Sequence, residues 1–251
     1  MRKGKISAVI AALAGGAVLL AGCGNLVSNP ALMRQSVIER TVAPQGLQQV
    51  ENAIHSMSTL QNYQVKAQIQ ETTERNVRSV DFYGTIVLPT ASSPVQISMD
   101  ETIGGNNYPL YQNGAFAYYE DGNRWKPMTP ITDLRPWQSL SDAIAKNPPQ
   151  VVYQLPQQTV VSWLCNVYQF KTLDLGSLIG GGKLVKPQES LYTVWVDAND
   201  GLLRQIEVQS TVGIQGVGTE SMNATELFFN YNAQNTVIGI PSGLVAQIEK
   251  P

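Results

Sequence analysis

Histidine is all but missing from this 251-residue chain, which holds one, His55. A metal centre built from several imidazoles is therefore excluded. His55 sits on a helical pattern next to Ile54 but away from Val50 and Met57, and reads as a surface or flank residue. Cysteine is nearly as scarce, with Cys23 and Cys165 only. Charge is sparse too: 14% of residues, 17 basic against 19 acidic. Nothing supplies the basic patch that phosphate backbones require, so no nucleic-acid partner is expected. Catalytic motifs are absent or broken. Gly-x-Ser-x-Gly does not occur. The stretch from Gly176 to Leu184 is one residue too long for a phosphate loop, and Leu184 stands where a magnesium-binding hydroxyl belongs. Asp197 to Gly201 lacks the alternating ligands and distal glutamate of a calcium loop, and reads as a hairpin turn. Asp100-Glu101 and Glu120-Asp121 are adjacent carboxylates, which a strand points to opposite faces, so neither makes an acid/base pair. No catalytic residue, metal or cofactor is assigned.

Long apolar runs are also missing, with one exception at the N-terminus. Met1-Arg2-Lys3-Gly4-Lys5 is basic, Ile6 to Leu20 is apolar or small, and Leu20-Ala21-Gly22-Cys23 follows. This is the order of a secretory signal. A membrane-spanning helix needs about 20 predominantly apolar residues, and this run is shorter and carries Gly15 and Gly16. Leu-Ala-Gly-Cys resembles the lipobox of bacterial lipoproteins. The resemblance implies cleavage before Cys23, a diacylglyceryl group on its thiol, and a further acyl chain such as palmitate. Two or more chains anchor stably where one does not. Gly24, not Asp, follows the cysteine. The expected site is the outer face of the cytoplasmic membrane, or the outer membrane of a diderm host. Removal of residues 1–22 leaves 229 residues with 14 basic and 19 acidic, formally −5. With Cys23 committed to lipid, Cys165 has no partner for a disulfide. It lies in a strand-like run, Val160 to Tyr168, and reads as a small buried hydrophobe.

The remaining chain shows two periods. Residues 23–45 contain Ser28-Asn29-Pro30 and Ala43-Pro44 and read as a tether, with room for a short helix after Pro30. Leu47, Val50, Ile54, Met57 and Leu60 recur at helical steps, with Gln48, Gln49, Glu51, Asn52 and Ser56 on the other face. The period then becomes two. Tyr63, Val65, Ala67 and Ile69 alternate with polar residues. Val80, Phe82, Gly84, Ile86 and Leu88 follow, and then Val95, Ile97 and Met99. Asn113-Gly114 and Asp121-Gly122 mark tight turns around Phe116 to Tyr119, and Trp125 and Pro127 close this meander. Pro136 to Ile144 predicts a second helix with Trp137, Leu140 and Ile144 on one face, ended by Asn147-Pro148-Pro149. A hairpin follows, Leu191 to Val196 returning through Leu203 to Val208, after a flexible loop at Gly180-Gly181-Gly182. Glu226 to Tyr231 and Thr236 to Ile240 supply two last strands. The order predicts an α+β chain on one antiparallel sheet, with the folded domain spanning 46–251.

Several of these segments also resemble a family. They are the lipobox, the helix, Tyr63-Gln64-Val65-Lys66-Ala67, the tyrosine-rich meander ending at Asp121-Gly122-Asn123-Arg124-Trp125, and the hairpin Trp195-Val196-Asp197 … Asp200-Gly201-Leu202-Leu203-Arg204-Gln205-Ile206. Phe229-Asn230-Tyr231-Asn232 and Ile240-Pro241 close the set. In this order, over roughly residues 47–248, they resemble the lipoprotein-carrier (LolA-like) superfamily, including its Gram-positive and mycobacterial lipoproteins. The chain departs from the pattern in its Gln-rich surface and its glycine loop. The resemblance implies a strongly curved antiparallel sheet, an unclosed half-barrel around helices, whose concave apolar face takes acyl chains. Val65, Ile69, Phe82, Ile86, Ile97, Met99, Phe116, Trp195, Ile206 and Phe229 are then the candidates to line that face.

Two functions follow as expectations. The first is a non-enzymatic, membrane-anchored lipoprotein that binds a lipid or acyl chain in the half-barrel. The second is a sensory or scaffold lipoprotein that recognises a protein partner of the cell envelope. The second would show as an exposed aromatic patch, with Tyr108, Tyr111, Tyr118 and Tyr119 as its candidates.

Overall fold

The computed structural model describes residues 40–72, 77–132, 134–173, 189–214, 218–234 and 236–248. Cys23, most of the tether and the Gly180–Gly182 loop lie outside the described residues. The chain builds one 12-stranded sheet in which every neighbouring pair is antiparallel. Strand β1 is Thr41–Val42, and helix α1 is Gly46–Met57. A meander follows: β2 Asn62–Thr72, β3 Val77–Val87, β4 Gln96–Ile103, β5 Asn106–Asn113, β6 Phe116–Glu120 and β7 Trp125–Pro127. Helix α2, Pro136–Lys146, leads to β8 Val152–Val160, β9 Trp163–Leu173, β10 Glu189–Asp197, β11 Leu203–Ile214 and β12 Gly218–Phe229. Helix α3 is Ser242–Ile248. Across the sheet the order is β1-β8-β9-β10-β11-β12-β2-β3-β4-β5-β6-β7. The last strand of the second meander thus pairs with the first strand of the first, and the two halves share one surface. The sheet ends at β1 and β7 without closing on itself. It is the expected unclosed half-barrel, with α1 and α2 packed on its inner face.

Alternation explains that face. Along β2, Tyr63, Val65, Ala67 and Ile69 are buried while Lys66, Gln68 and Gln70 are exposed. Registers extend the pattern across the strands: Val65 stands opposite Gly84, Gly84 opposite Met99 and Met99 opposite Leu110. The helices answer with Val50, Ala53, Ile54 and Met57 on α1, and Trp137, Leu140, Ala143 and Ile144 on α2. Trp137 meets Tyr63 and Phe228 edge-to-face, with ring centroids 5.1 and 5.7 Å away. The Tyr63 hydroxyl donates to the Leu134 carbonyl at 2.7 Å. This aromatic trio ties α2 to the junction of the two meanders. Each edge-to-face pair adds about 0.5–1.5 kcal/mol beyond area burial.

Gly84 is needed where it stands. A Cβ there would lie 2.4 Å from the Ser98 carbonyl oxygen and 2.6 Å from Met99 Cα. The missing side chain lets β3 and β4 approach closely in the middle of the inner face.

The outer face carries apolar groups as well, the largest over β8–β11. There Leu155, Val160, Cys165, Val167 and Trp195 form a second buried cluster with Trp163 and Leu227. The Trp195 indole N–H donates to Gln158 at 2.9 Å. Cys165 is fully buried, and burial, helped by the Asp197 charge, pushes its thiol up to about 11. A bulge between Trp195 and Val196 leaves Arg204 as an extra residue in β11. Its guanidinium donates twice to Asp197, at 3.0 and 2.8 Å, and also reaches Asp200. It lies over the Trp163 ring at 4.4 Å and the Tyr231 ring at 4.9 Å. Burial alone would raise the Asp197 carboxyl. The Asn199 N–H and the Arg204 guanidinium outweigh it and hold the carboxyl below its ordinary value.

Two expectations change. No strand forms at 236–240, because both edges of β2 and of β12 are already paired. Instead Asn230 and Asn232, both at φ 50°, turn the chain away after Phe229. The strand expected from Glu226 starts earlier, at Gly218. The segment after the turn leads into α3, whose Leu244 packs on Tyr111 and Trp125. The Gln247 amide accepts from the Trp125 N–H at 2.9 Å and donates to the Trp125 carbonyl at 2.7 Å. One side chain thereby blocks part of the open edge at β7.

Gly84→Ala is expected to lower the unfolding free energy by about 1–3 kcal/mol through overpacking, read from urea denaturation. A wild-type midpoint would contradict the close approach of β3 and β4. Arg204→Met strands a buried carboxylate and should cost about 3–5 kcal/mol at neutral pH. Because the Asp197 carboxyl is depressed, its contribution is present at neutral pH and is lost as pH falls through its lowered value. The Arg204→Met deficit, measured by the same denaturation, should therefore shrink in acid.

Candidate functional site

The candidate site is the inner face of the half-barrel. Val65, Ile69, Phe82, Ile86, Ile97, Met99 and Ile206 all lie on it and are buried. Three candidates lie elsewhere. Phe116 is 71% exposed, because Ala117 and Tyr119 are the inward residues of β6. Trp195 belongs to the outer cluster, opposite Val167 and Gln205. Phe229 stacks on the exposed Tyr83 ring at 6.2 Å on the outer face, because Phe228 takes the inward position of β12. The four tyrosines of the expected patch also separate. Tyr111 is buried under Leu244, Tyr118 lies beside it, and Tyr119 packs into the main core. Tyr108, opposite Glu101, is half-buried. They form no single aromatic surface.

Reading the registers across strands resolves the inner face into rows. The first row carries Tyr63, Ile86 and Ile97, and the next Phe228, Val65, Gly84, Met99 and Leu110. Then comes a row with two carboxyls: Ile206, Glu226, Ala67, Phe82, Glu101 and Tyr108. An apolar belt follows, with Val208, Ala224, Ile69, Val80 and Ile103. The last row is mostly polar: Thr172, Ser190, Ser210, Met222, Glu71 and Arg78. The site is thus an apolar wall with a polar rim at one end and a buried carboxyl row below it.

The polar members differ in how they are satisfied. Thr172 donates to the Asn147 carbonyl at 2.7 Å, fixing the end of α2 to β9. The Ser190 and Ser210 hydroxyls meet at 2.7 Å. Arg78 and Glu71 form an ion pair at 4.0 Å. Burial raises the Glu71 carboxyl, and the Arg78 charge only partly offsets it. Glu101 is fully buried, and among the described residues neither carboxyl oxygen has a hydrogen-bond partner. Burial pushes it up to about 8 against a weaker opposing pull from Arg78. At neutral pH it is largely the uncharged acid, able both to donate and to accept. Glu101 was legible in one respect: its parity matches Ile97 and Met99, which puts it on the apolar face.

Among the described residues no group of His, Cys, Asp and Glu is arranged to hold a metal ion. His55 is exposed on α1.

No family model and no curated protein matches the chain. Solved structures do. LprF from Mycobacterium bovis is similar with a TM-score of 0.53 at 11% identity, over 81% of this chain and 99% of that one. The Mycobacterium tuberculosis lipoprotein LppX gives 0.45 at 11% identity, over 78% and 99%. A LolA superfamily protein from Nitrosomonas europaea gives 0.25 at 9%, over 79% and 96%. Identities this low speak for fold alone. At that level the likeness to LprF bears out the expected half-barrel fold.

Proposed function

We propose that this protein is an exported lipoprotein that holds a lipid or acyl chain against the inner face of its half-barrel, without catalysing a reaction. In this reading residues 1–22 are a signal, Cys23 carries the lipid anchor, residues 23–45 are the tether and 46–251 the binding domain. The observation that carries it is the one-sided sheet. Val65, Ile69, Phe82, Ile86, Ile97, Met99 and Ile206 share one buried apolar face with a polar row at one end. An acyl chain laid on such a wall gains about 0.8 kcal/mol per buried CH₂, and the rim can face the head group. A covalent anchor keeps the protein at the membrane where such ligands are found, which suits local acceptance or presentation of lipid better than free shuttling.

Two results are expected. Cys23→Ala should abolish incorporation of a palmitate label and move the protein from the membrane to the soluble fraction. Unchanged membrane retention would contradict the anchor. The same variant, purified natively from the exported fraction and extracted with organic solvent, should yield about one acyl lipid per chain. A folded but lipid-free protein would overturn the ligand reading, and mass spectrometry of the extract decides between the two.

A further inference from the structure

The rows of the inner face differ in depth. Strand residues rise about 3.3–3.4 Å each, so along β2 and β3 the carboxyl row lies about 13 Å of backbone from the polar row, while on β4 Glu101 is two residues from the strand's end at Ile103. Between them is only the apolar belt of Ile69, Val80 and Ile103. Glu101 therefore interrupts an otherwise apolar stretch of the inner face. It is 0% exposed, and among the described residues neither of its oxygens has a hydrogen-bond partner. Buried carboxyl groups in folded proteins are nearly always paired or hydrogen-bonded, and leaving one unmatched is destabilising. A hydrophobic residue would fill this position more stably. The side chains facing Glu101 across the strands are Phe82 and Tyr108, and its neighbours along the same face are Met99 and Ile103. The charge acting on it is that of Arg78, itself engaged with Glu71. Glu226 shares the row but stands beyond Ala67 and Phe82.

We propose that Glu101 is a hydrogen-bonding station for an uncharged hydroxyl partway along the chain of a bound amphiphile whose head group stays at the rim. This rests on the lipid-binding reading above and narrows it to a class: acyl lipids with a mid-chain hydroxyl. The largely neutral acid that burial favours at Glu101 suits this role, because it can accept the hydroxyl proton and donate its own. A site built around a hydrogen bond in apolar surroundings discriminates strongly against a ligand that leaves its polar group unmatched.

The test compares stearic acid, 2-hydroxystearic acid and 12-hydroxystearic acid as displacing ligands on the full chain carrying Cys23→Ala. The 12-hydroxy acid should bind at least about tenfold tighter than the other two, the equivalent of ~1.4 kcal/mol. Glu101→Leu should abolish that preference and keep stearic acid binding, while Glu101→Gln should keep most of it. Glu101→Leu is not expected to unfold the protein, since it removes an unmatched polar group. Ligand-free wild type should lose stability as pH rises from about 4.5 to about 8, because over that range the unfolded chain releases the Glu101 proton while the folded chain keeps it. Glu101→Gln should flatten that slope apart from the share of Glu71, which is shifted the same way. Equal affinity for the three acids in wild type, or a 12-hydroxy preference that survives Glu101→Leu, overturns the assignment while leaving lipid binding intact. Failure of wild type to bind any of them overturns both.

Discussion

The structure depends on burying one face of a sheet that never closes. Each strand of the first meander presents an apolar side, and no facing strand layer is available to cover it. Helices α1 and α2 must cover it instead, and the edge-to-face contacts of Trp137 with Tyr63 and Phe228 fix where α2 sits. That contact joins the two meanders, since Tyr63 belongs to β2 and Phe228 to β12, the pair at which they meet. Gly84 supplies the close approach of β3 and β4, and Gln247 covers the backbone of the edge strand β7. With the apolar wall packed at one end and a polar rim at the other, the fold produces a graded surface from one repeated device, the alternation of side chains along a strand.

Much of this was legible in the sequence where only one face of a strand is buried. In β2, β3 and β4 the period of two assigns Val65, Ile69, Phe82, Ile86, Ile97 and Met99 to the inner face, because a one-residue slip would expose all of them at once. Legibility fails where both faces are apolar. Strand β10 lies between the main core and the outer cluster, so Val194 and Trp195 are both buried and alternation gives no parity for Trp195. Phe228 and Phe229 are adjacent aromatics, and only pairing with β2 decides that Phe228 points inward. Phe116 opens a five-residue strand, too short for a pattern. The strand expected at 236–240 had suitable composition, but the neighbouring strands β2 and β12 are paired on both sides, which is a property of topology rather than of the segment. The carboxyl row was overlooked for another reason. The opposite faces of Asp100 and Glu101 exclude an acid/base pair, but alternation alone does not show that one carboxyl lies in solvent and the other in the buried wall.

The two buried ionic features show how burial and pairing divide the work. Arg204 is matched by Asp197, reaches Asp200 and lies between two aromatic rings, so its charge is balanced within the domain and stabilises the bulged hairpin. Glu101 has no such partners and is pushed toward its neutral form. The first arrangement is complete without a ligand. The second has hydrogen-bonding capacity that the described residues leave unused, on the face where an apolar ligand would lie.

The central claim, that the ligand lies on the inner face, is tested most directly by fluorescence quenching with acyl chains brominated along their length. The chain holds four tryptophans. Trp137 lines the inner core, whereas Trp195 belongs to the outer cluster with Trp163 packed against it, and Trp125 lies under α3. In a variant that keeps only Trp137, with phenylalanine at the other three positions, the account predicts strong quenching on lipid binding. In the reciprocal variant that keeps only Trp195, it predicts none. Quenching of Trp195, or bound lipid that leaves Trp137 unaffected, would contradict it.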